Sequence, residues 1–375
     1  MADYKTNTGE LTLVADAIRS LGGTSASISY PFGWVDALNS IKTWPYGECG
    51  DLQGSVASRK TLNATFQANS SITFVSFPSV SSVTSSRAFR GCYNLQGAEF
   101  QILSSIPRLT FATCFELKSV SFPACETIDY GAFFYCTGLK KADFPSCTTI
   151  MSVSGSLGFA VSSSITYSRI DGTRVIRSLA SYPSGASVGA FERAGIVEAN
   201  FPACTTIGSY AFNRCTALSS VSFPACTMIG EGAFYNCTAL SSVSFPACTM
   251  IGGVAFQSCP ITSAVFPNCQ TVGEFAFQSC HALVTVSLPA CTNISTYAFI
   301  SCVSLNRVNL FGANVVSLAN SHVFAGTPIA TSTYTGTYGS IYVPASLLTA
   351  YQTATNWVYF SSRFVGLTDE EIAAL

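Results

Sequence analysis

The chain has 375 residues, of which 48% are hydrophobic and only 10% are charged, and its formal net charge is −1. This balance excludes a disordered chain, because disorder requires low hydrophobicity and high charge. Without a basic excess, neither nucleic acid nor an anionic membrane surface is an expected partner. No apolar run approaches the roughly 18 to 20 residues that cross a bilayer, so we expect no membrane insertion.

Residues 1–50 predict a small helical unit. One face of the first helix would carry apolar residues and end at a Gly-Gly pair, and two aromatic residues lead into a second short helical pattern. Through the pattern A-D-A-I-R-S-x-G-G-T-S-A-x-I-x-Y-P-x-G, the segment resembles N-terminal segments of tail-associated proteins in phages and prophages of Gram-positive hosts. That resemblance implies an attachment module; capping of the first coil is the alternative. Residues 51–71 are interpreted as a connecting segment. The candidate attachment residues are Leu11, Val14, Ile18, Leu21, Phe32 and Trp34.

From residue 72 onward the chain repeats one motif, in a first array at 72–150 and a second array at 196–330. The motif is F-P-A-C-T-x-I-G-x-x-A-F-x-x-C-x-x-L-x-x-V-x, and its second phenylalanine recurs every 21 or 22 residues within each array, widening to 25 before the last copy. In the copy around Val221, alternation predicts a short strand with Val221 and Phe223 inward and serines outward. A single unit cannot bury these side chains alone. Stacked units can, which predicts a β-rich repeat solenoid with a parallel sheet.

The cysteines follow the same repeat. Of 16 cysteines, seven occupy the position after the F-P pair (L-P before Cys291), eight occupy the position after the A-F pair (T-F before Cys114), and only Cys49 lies outside the scheme. Equivalent positions in successive coils form ladders, and a free cysteine packs as a small buried hydrophobe. A zinc site would need close pairs such as C-x-x-C, which the chain lacks. We therefore predict buried free thiols rather than disulfides or a metal centre, and no cofactor.

Residues 151–195 interrupt the repeat. The pair Asp171-Gly172 stands there between β-rich flanks, a strong hairpin signal. Insertions in repeat proteins often lie on the binding face, and an irregular coil that only joins the two arrays is the alternative. The hairpin concentrates arginine in a chain that is poor in charge. Its candidate binding residues are Tyr167, Arg169, Arg174 and Arg177.

Two rows of side chains are expected at the surface of the coils. The outward strand positions form a serine-rich face, which is either a plain soluble surface or one suited to carbohydrate. The position after A-F, which we call the side row, varies between coils, as either a specific contact or neutral drift would produce. The side row comprises Arg90, Phe134, Glu192, Asn213, Tyr235, Gln257, Gln278 and Ile300. Further candidate binding residues from both rows are Tyr235, Gln257, Gln278 and Arg307.

Residues 331–375 predict a C-terminal cap, and Thr368 with Glu371 fits a capping box that opens a short helix. The order L-x-x-V-x-F-P, then I-G-x-x-A-F-x-x-C-x-x-L, resembles the BspA-like, bacterial-surface class of leucine-rich repeats over roughly residues 72–330. That resemblance implies a parallel-strand solenoid and, for function, adhesion or surface ligand binding. The segment from Ser340 to Trp357 is similar to the one that often closes such arrays.

No constellation in the sequence points to catalysis. His281 and His322 lie on different coils, and no nucleophile elbow, phosphate loop or zinc-protease motif is present. We therefore predict a non-enzymatic protein rather than an enzyme.

The favoured hypothesis is an adhesion or structural component of a phage or phage-like particle, such as a tail fibre, receptor-binding or decoration protein. It would lie in the virion, form homo-oligomers in an assembly, and contact virion or tail proteins and a host-surface protein or glycan. The alternative is a bacterial cell-surface adhesin of the BspA-like family. The first residues lack the pattern of a secretory leader, which favours the particle.

Overall fold

The computed structural model describes residues 61–62, 65–151, 164–169, 173–178, 188–330 and 338–375. Within these ranges the chain winds into a parallel-sheet solenoid of about 12 turns. The predicted fold class is therefore confirmed. The predicted N-terminal helical unit, with its six candidate attachment residues, lies outside the described residues.

Most coils place a three-residue front strand beside that of a neighbour; the coil around Val243 forms none. In Ser220–Ser222 both serines are exposed, Val221 is half-buried, and Phe223 directly after the strand is fully buried. The side chains alternate as the sequence predicts, since successive residues of a strand point to opposite faces. The front strands are Phe74–Ser76, Gly97–Glu99, Ser119–Ser121, Lys141–Asp143, Glu198–Asn200, Ser220–Ser222, Ser263–Val265, Thr285–Ser287 and Arg307–Asn309.

A two-residue back strand follows each F-P-A-C segment. Nine of these strands form one parallel sheet in the described part of the chain, whereas the front strands divide among three sheets. A further pair, Thr61–Leu62 with Ser82–Val83, begins the parallel pairing inside the segment expected to be a connection. The nine back strands are Ser105–Ile106, Thr127–Ile128, Thr149–Ile150, Thr206–Ile207, Met228–Ile229, Met250–Ile251, Thr271–Val272, Asn293–Ile294 and Ser317–Leu318.

Two columns of phenylalanine rings fill the space between the front and back strands. In the A-F column, the rings of Phe212 and Phe234 stack with centroids 5.3 Å apart, and in the F-P column Phe201 and Phe223 stack at 5.1 Å. The columns meet edge to face, with Phe212 and Phe223 at 5.8 Å. Both geometries suit the ring quadrupole. Because every ring needs the ring of the next coil, the core is continuous along the solenoid.

The C-terminal residues close this core. Strands Ser340–Pro344 and Phe364–Leu367 extend the last front sheet, and the helical segments between and after them are the 3-10 helices Ala345–Leu347 and Val358–Arg363 and the α-helices Leu348–Thr353 and Asp369–Ala373. The fully buried Trp357 donates its indole N–H to the carbonyl of Val316 at 2.7 Å, and the Tyr351 hydroxyl accepts the Val316 N–H at 3.1 Å. Thr368 and Glu371 form the predicted capping box.

The interruption contains the predicted hairpin. Strands Ser164–Ser168 and Arg174–Ser178 pair antiparallel, and the Arg169 N–H donates to the Thr173 carbonyl at 2.9 Å. The turn residues 170–172, with the Asp-Gly pair, lie outside the described residues. In the described ranges, no helix has the length and apolar character needed to span a membrane.

Candidate functional site

The hairpin folds back onto the first array. The Tyr167 side chain is only 5% exposed, and its ring lies 5.1 Å from that of Tyr93 and 5.5 Å from that of Phe115, centroid to centroid. Its hydroxyl donates to Oε1 of Glu116 at 2.7 Å. Tyr167, expected on a binding surface, is therefore buried inside the molecule, because aromatic side chains of two coils provide a better partner for its ring than water does.

Polar contacts beside Tyr167 also hold the hairpin against the first array. Arg169 donates from Nε and Nη2 to Oε1 of Glu116 at 3.1 and 2.8 Å, so this candidate binding residue is engaged in an internal ion pair. The Asn94 side-chain amide donates to the Ser168 carbonyl at 2.9 Å. Arg174 is exposed, and the side chain of Arg177 lies outside the described residues. Of the hairpin candidates whose side chains are described, Arg174 is exposed, the Arg169 side chain stays 40% exposed within its ion pair, and Tyr167 is buried.

The sequence carried a signal for this docking that the repeat analysis missed. The position after the A-F cysteine is Tyr93 and Phe115 in the first two units but threonine at residues 216 and 238 of the second array. The next position is Asn94 and Glu116 in the first array but alanine at residues 217 and 239 of the second. The four first-array residues contact the hairpin. Departures from the repeat on neighbouring coils thus mark the covered surface.

The side row differs between the two arrays in the same way. In the first array Phe134 is fully buried in a cluster with Tyr167, whereas Arg90 is half-buried; Glu192, in the interruption, is 1% exposed. The Glu192 carboxylate accepts the Gly189 N–H at 3.2 Å and the Asn213 side-chain amide at 2.9 Å. In the second array the members of the side row are half-buried. We call them the open side face, which comprises Asn213, Tyr235, Gln257, Gln278 and Ile300.

Consecutive coils bring three of the predicted site residues together on this face. Backbone hydrogen bonds of 2.9 Å, from Asn236 N–H to the Gln257 carbonyl and from Ser258 N–H to the Gln278 carbonyl, hold the three turns side by side. Tyr235, Gln257 and Gln278 are therefore neighbours. Arg307 does not join them, because it lies in the front strand Arg307–Asn309.

The serine-rich front face is present, with two exceptions. Ser220, Ser222 and Ser263 are exposed as predicted. Gly97 is buried because the Phe74 ring lies over it, within 2.6 Å of where a Cβ would be. Asn309 is also buried, and its Oδ1 accepts a hydrogen bond from Arg307 Nε at 3.0 Å.

The thiols are structural. All fifteen cysteines in the described ranges are free and buried, as predicted; Cys49 lies outside them. In the A-F ladder Cys237 Sγ donates to the Phe212 carbonyl of the preceding coil at 3.1 Å, and in the F-P ladder Cys226 Sγ donates to the Met228 carbonyl at 3.3 Å. Burial raises the pKa of Cys226 to about 12. Because the thiolate is the reactive and metal-binding form, such thiols are inert. In the same ranges no group of three His, Cys, Asp or Glu side chains could hold a metal ion.

The repeat matches a known family. The model of the BspA type leucine rich repeat region matches in six copies, over residues 58–167, 187–249 and 205–331. The chain belongs to this family. The assignment agrees with the resemblance found in the sequence motif, and it covers both arrays of this BspA-type protein. No curated protein matches the chain.

Several solved structures are similar to this BspA-type chain. A leucine-rich repeat protein from Bacteroides ovatus is 17% identical, with a TM-score of 0.36 over 82% of this chain and 94% of that one. The T. pallidum leucine rich repeat protein TpLRR is 26% identical, with a TM-score of 0.34 over 44% of this chain and 86% of that one. The pneumococcal vaccine antigen PcpA is 14% identical, with a TM-score of 0.37 over 83% of this chain and 78% of that one. The family assignment rests on the repeat match.

Proposed function

We propose that this protein is a non-enzymatic adhesin of the bacterial cell surface that contacts a host-surface protein or glycan through its open side face. The observation that carries the proposal is that face itself. The same row is buried at Phe134 and Glu192 and partly accessible throughout the second array, on coils whose cores are alike. Family membership supports an adhesive role.

The chemistry of the open side face suits an uncharged polar ligand. Tyr235 provides an aromatic body with a hydroxyl, the kind of side chain enriched at binding hot spots. Gln257 and Gln278 each add an amide that both donates and accepts hydrogen bonds. Between residues 215 and 330 the sequence has only three charged side chains, Glu231, Glu274 and Arg307, and one cation from just before this range, Arg214, lies with Cζ 5.8 Å from the Tyr235 ring centroid. Binding through this face should therefore depend weakly on salt.

The test is an adhesion assay with beads that carry the purified whole chain. A triple variant, Tyr235→Ala, Gln257→Ala and Gln278→Ala, should reduce attachment to host cells about tenfold or more, since hot-spot truncations cost at least about 2 kcal/mol. The matched control changes three exposed serines of the front face to alanine, Ser220, Ser222 and Ser242, and should attach like the wild type.

The outcomes separate clearly. Loss of attachment in the triple variant alone supports the proposal. If the wild-type beads do not attach, or if the serine control loses as much attachment as the triple variant, the open side face is not the adhesive surface. Thermal unfolding of each variant verifies that the coils remain folded.

The same adhesive role on a phage or phage-like particle is a second candidate. It depends on the resemblance of residues 1–50 to tail-associated proteins, and its partners would be virion proteins and further copies of this chain. Deletion of residues 1–50 should then abolish incorporation into particles. Normal incorporation of the shortened chain would remove this candidate and leave the adhesin proposal untouched.

A further inference from the structure

Two arginines lie in one row at the C-terminal end of the front face. Arg307 pairs in register with Ser340. Ile341 pairs with Phe364, so Arg363, the last residue of the 3-10 helix Val358–Arg363, enters that strand on the other side of Ser340. The two arginines are thus two strand spacings apart, about 10 Å between their backbones.

Each guanidinium group is stacked on a tyrosine ring. Cζ of Arg307 lies 4.4 Å from the ring centroid of Tyr342, and Cζ of Arg363 lies 3.5 Å from that of Tyr338. Stacking fixes the plane of a guanidinium group while its N–H edge stays available to a ligand. Among the donors of Arg307, only Nε has a partner in the described residues, the Asn309 Oδ1.

No carboxylate compensates these two charges. Arg169 pairs with Glu116 in the first array, but neither Arg307 nor Arg363 forms an ion pair within the described ranges. Nε of Arg363 is buried and finds no hydrogen-bond partner there. An unsatisfied buried donor is costly and uncommon in native proteins. The pair is therefore a fixed cationic feature with unused hydrogen-bond capacity.

The surroundings of the pair indicate the ligand class. The row that leads to Arg307 carries hydroxyl side chains, since Ser263 pairs with Thr285 and Thr285 pairs with Arg307. Up to the stacked Arg307 and Tyr342, this row carries small side chains and runs along the solenoid, so it suits an extended, hydroxyl-bearing polymer better than a protein surface with bulky anchors. Guanidinium forks bind carboxylate and other oxyanions in a bidentate manner.

We infer that the C-terminal end of the front face binds an anionic polysaccharide. Arg307 and Arg363 each hold one carboxylate or sulfate group of the chain, and Ser340 lies between them. The site uses a different surface from the open side face. Its failure would not affect the proposed function, and failure of the proposed function would not affect this site.

The test is isothermal titration of the whole chain with size-matched hyaluronan, dextran sulfate and neutral dextran at fixed ionic strength. Hyaluronan presents carboxylates and dextran sulfate presents sulfates, so the two arms distinguish the oxyanions. We expect binding of at least one charged polymer and none of neutral dextran. Arg307→Gln and Arg363→Gln should each weaken that binding about tenfold or more, because hydrogen bonds to charged groups are the strong ones.

The matched control is Arg174→Gln, which removes the same charge from an exposed position on the hairpin. It should change the affinity by less than about twofold, since exposed charges far from a site act weakly. Should Arg307→Gln unfold at a lower temperature than the wild type, Arg307→Lys replaces it. That variant keeps the positive charge but loses the paired N–H donors of the guanidinium group, and should weaken binding several-fold.

Three results would overturn the inference. The first is that neither charged polymer binds. The second is that Arg174→Gln weakens binding as much as the two front-face variants, which would mean diffuse charge attraction. The third is that Arg307→Lys binds as tightly as the wild type.

Discussion

The two arrays share one core but differ at their sides. In the first array, a hairpin from the interruption lies on the coils and buries a cluster that includes Leu109, Phe115, Phe134 and Tyr167. In the second array, the same side carries half-buried polar residues such as Gln257. The phenylalanine columns continue through both arrays, with Phe133 stacked on Phe191 across the interruption at 5.0 Å. The repeat therefore determines the interior, and each array's side is free to take another role.

The difference shows what decides whether a side is covered. When the hairpin buries aromatic and aliphatic side chains of the first array, the free energy of the folded state falls. Amide side chains in the same place would have to be desolvated and re-paired, which is costly. An open polar side is thus the stable state of the second array until a partner supplies hydrogen bonds. Four predictions test this difference between the arrays.

The largest expected effect is alkaline unfolding. Burial raises the pKa of Cys92 to about 12 and that of Cys204 to about 11, whereas an unfolded thiol titrates near about 8.5. As pH rises above about 8.5, the unfolded state loses thiol protons that the folded state keeps. Each thiol then destabilises the fold by about 1.4 kcal/mol per pH unit. Summed over all the buried thiols with a raised pKa, this loss exceeds the roughly 5–15 kcal/mol that keeps a domain folded, so we expect unfolding near pH 10.

This effect should also distinguish the arrays. The first array has five thiols with a raised pKa: Cys92, Cys114, Cys125, Cys136 and Cys147. The second has eight: Cys204, Cys215, Cys226, Cys237, Cys248, Cys269, Cys280 and Cys291. Hydrogen exchange in reductant should show the second array opening at the lower pH. Earlier opening of the first array would contradict this.

The next effect tests whether the core is the same in both arrays. Phe133→Ala and Phe234→Ala each remove a fully buried ring that stacks on both neighbouring coils. Each should lower the free energy of unfolding by about 3–5 kcal/mol. Urea denaturation measures this, with Ser220→Ala as a surface control expected to stay within about 0.5 kcal/mol. A much smaller loss for Phe133→Ala would show that the interruption breaks the core.

The hairpin contact should be weaker than a core contact. Tyr167→Ala removes the buried ring and should lower the local opening free energy of residues 164–178 by about 3 kcal/mol. Tyr167→Phe removes only the hydrogen bond to Glu116, so it should cost about 1.5 kcal/mol. Hydrogen exchange of the hairpin amides measures both variants. Arg174→Ala, exposed on the same hairpin, should have little effect; equal losses in all three variants would mean that Tyr167 does not anchor the hairpin.

The smallest effect is a change in stability at one turn position, where the same substitution should stabilise one array and destabilise the other. Leu109 and Val254 both have left-handed backbone, with φ of 58° and 48°. Such a conformation costs a non-glycine residue about 1–2 kcal/mol. Val254→Gly should therefore stabilise the open second array by about 1 kcal/mol. Leu109→Gly should destabilise the first by about 2 kcal/mol, because Leu109 is buried in the hairpin cluster. Thermal unfolding measures both, and the same sign for both variants would refute the comparison.

Much of the candidate site could be predicted from the sequence. Tyr235, Gln257 and Gln278 follow A-F in successive units, and the period alone brings them side by side. The hairpin could be predicted as a hairpin but not as a docked one. Its position depends on side chains of Tyr93 and Phe115, more than fifty residues from Tyr167, and no local pattern measures such a contact. The pairing of Arg307 with Tyr342 likewise depends on how the cap strand aligns with the last coil.

By itself, the sequence determined the period, and with it the stacked coils, the phenylalanine columns and the burial of the cysteine ladders. A repeated motif can do this because each coil only needs to match its neighbour. The capping box at Thr368 is equally local, since its partners are three residues apart. Tertiary structure alone decided which side of the solenoid is covered and which is open. That outcome depends on one inserted hairpin that meets complementary side chains on several coils at once, a match that no single repeat contains.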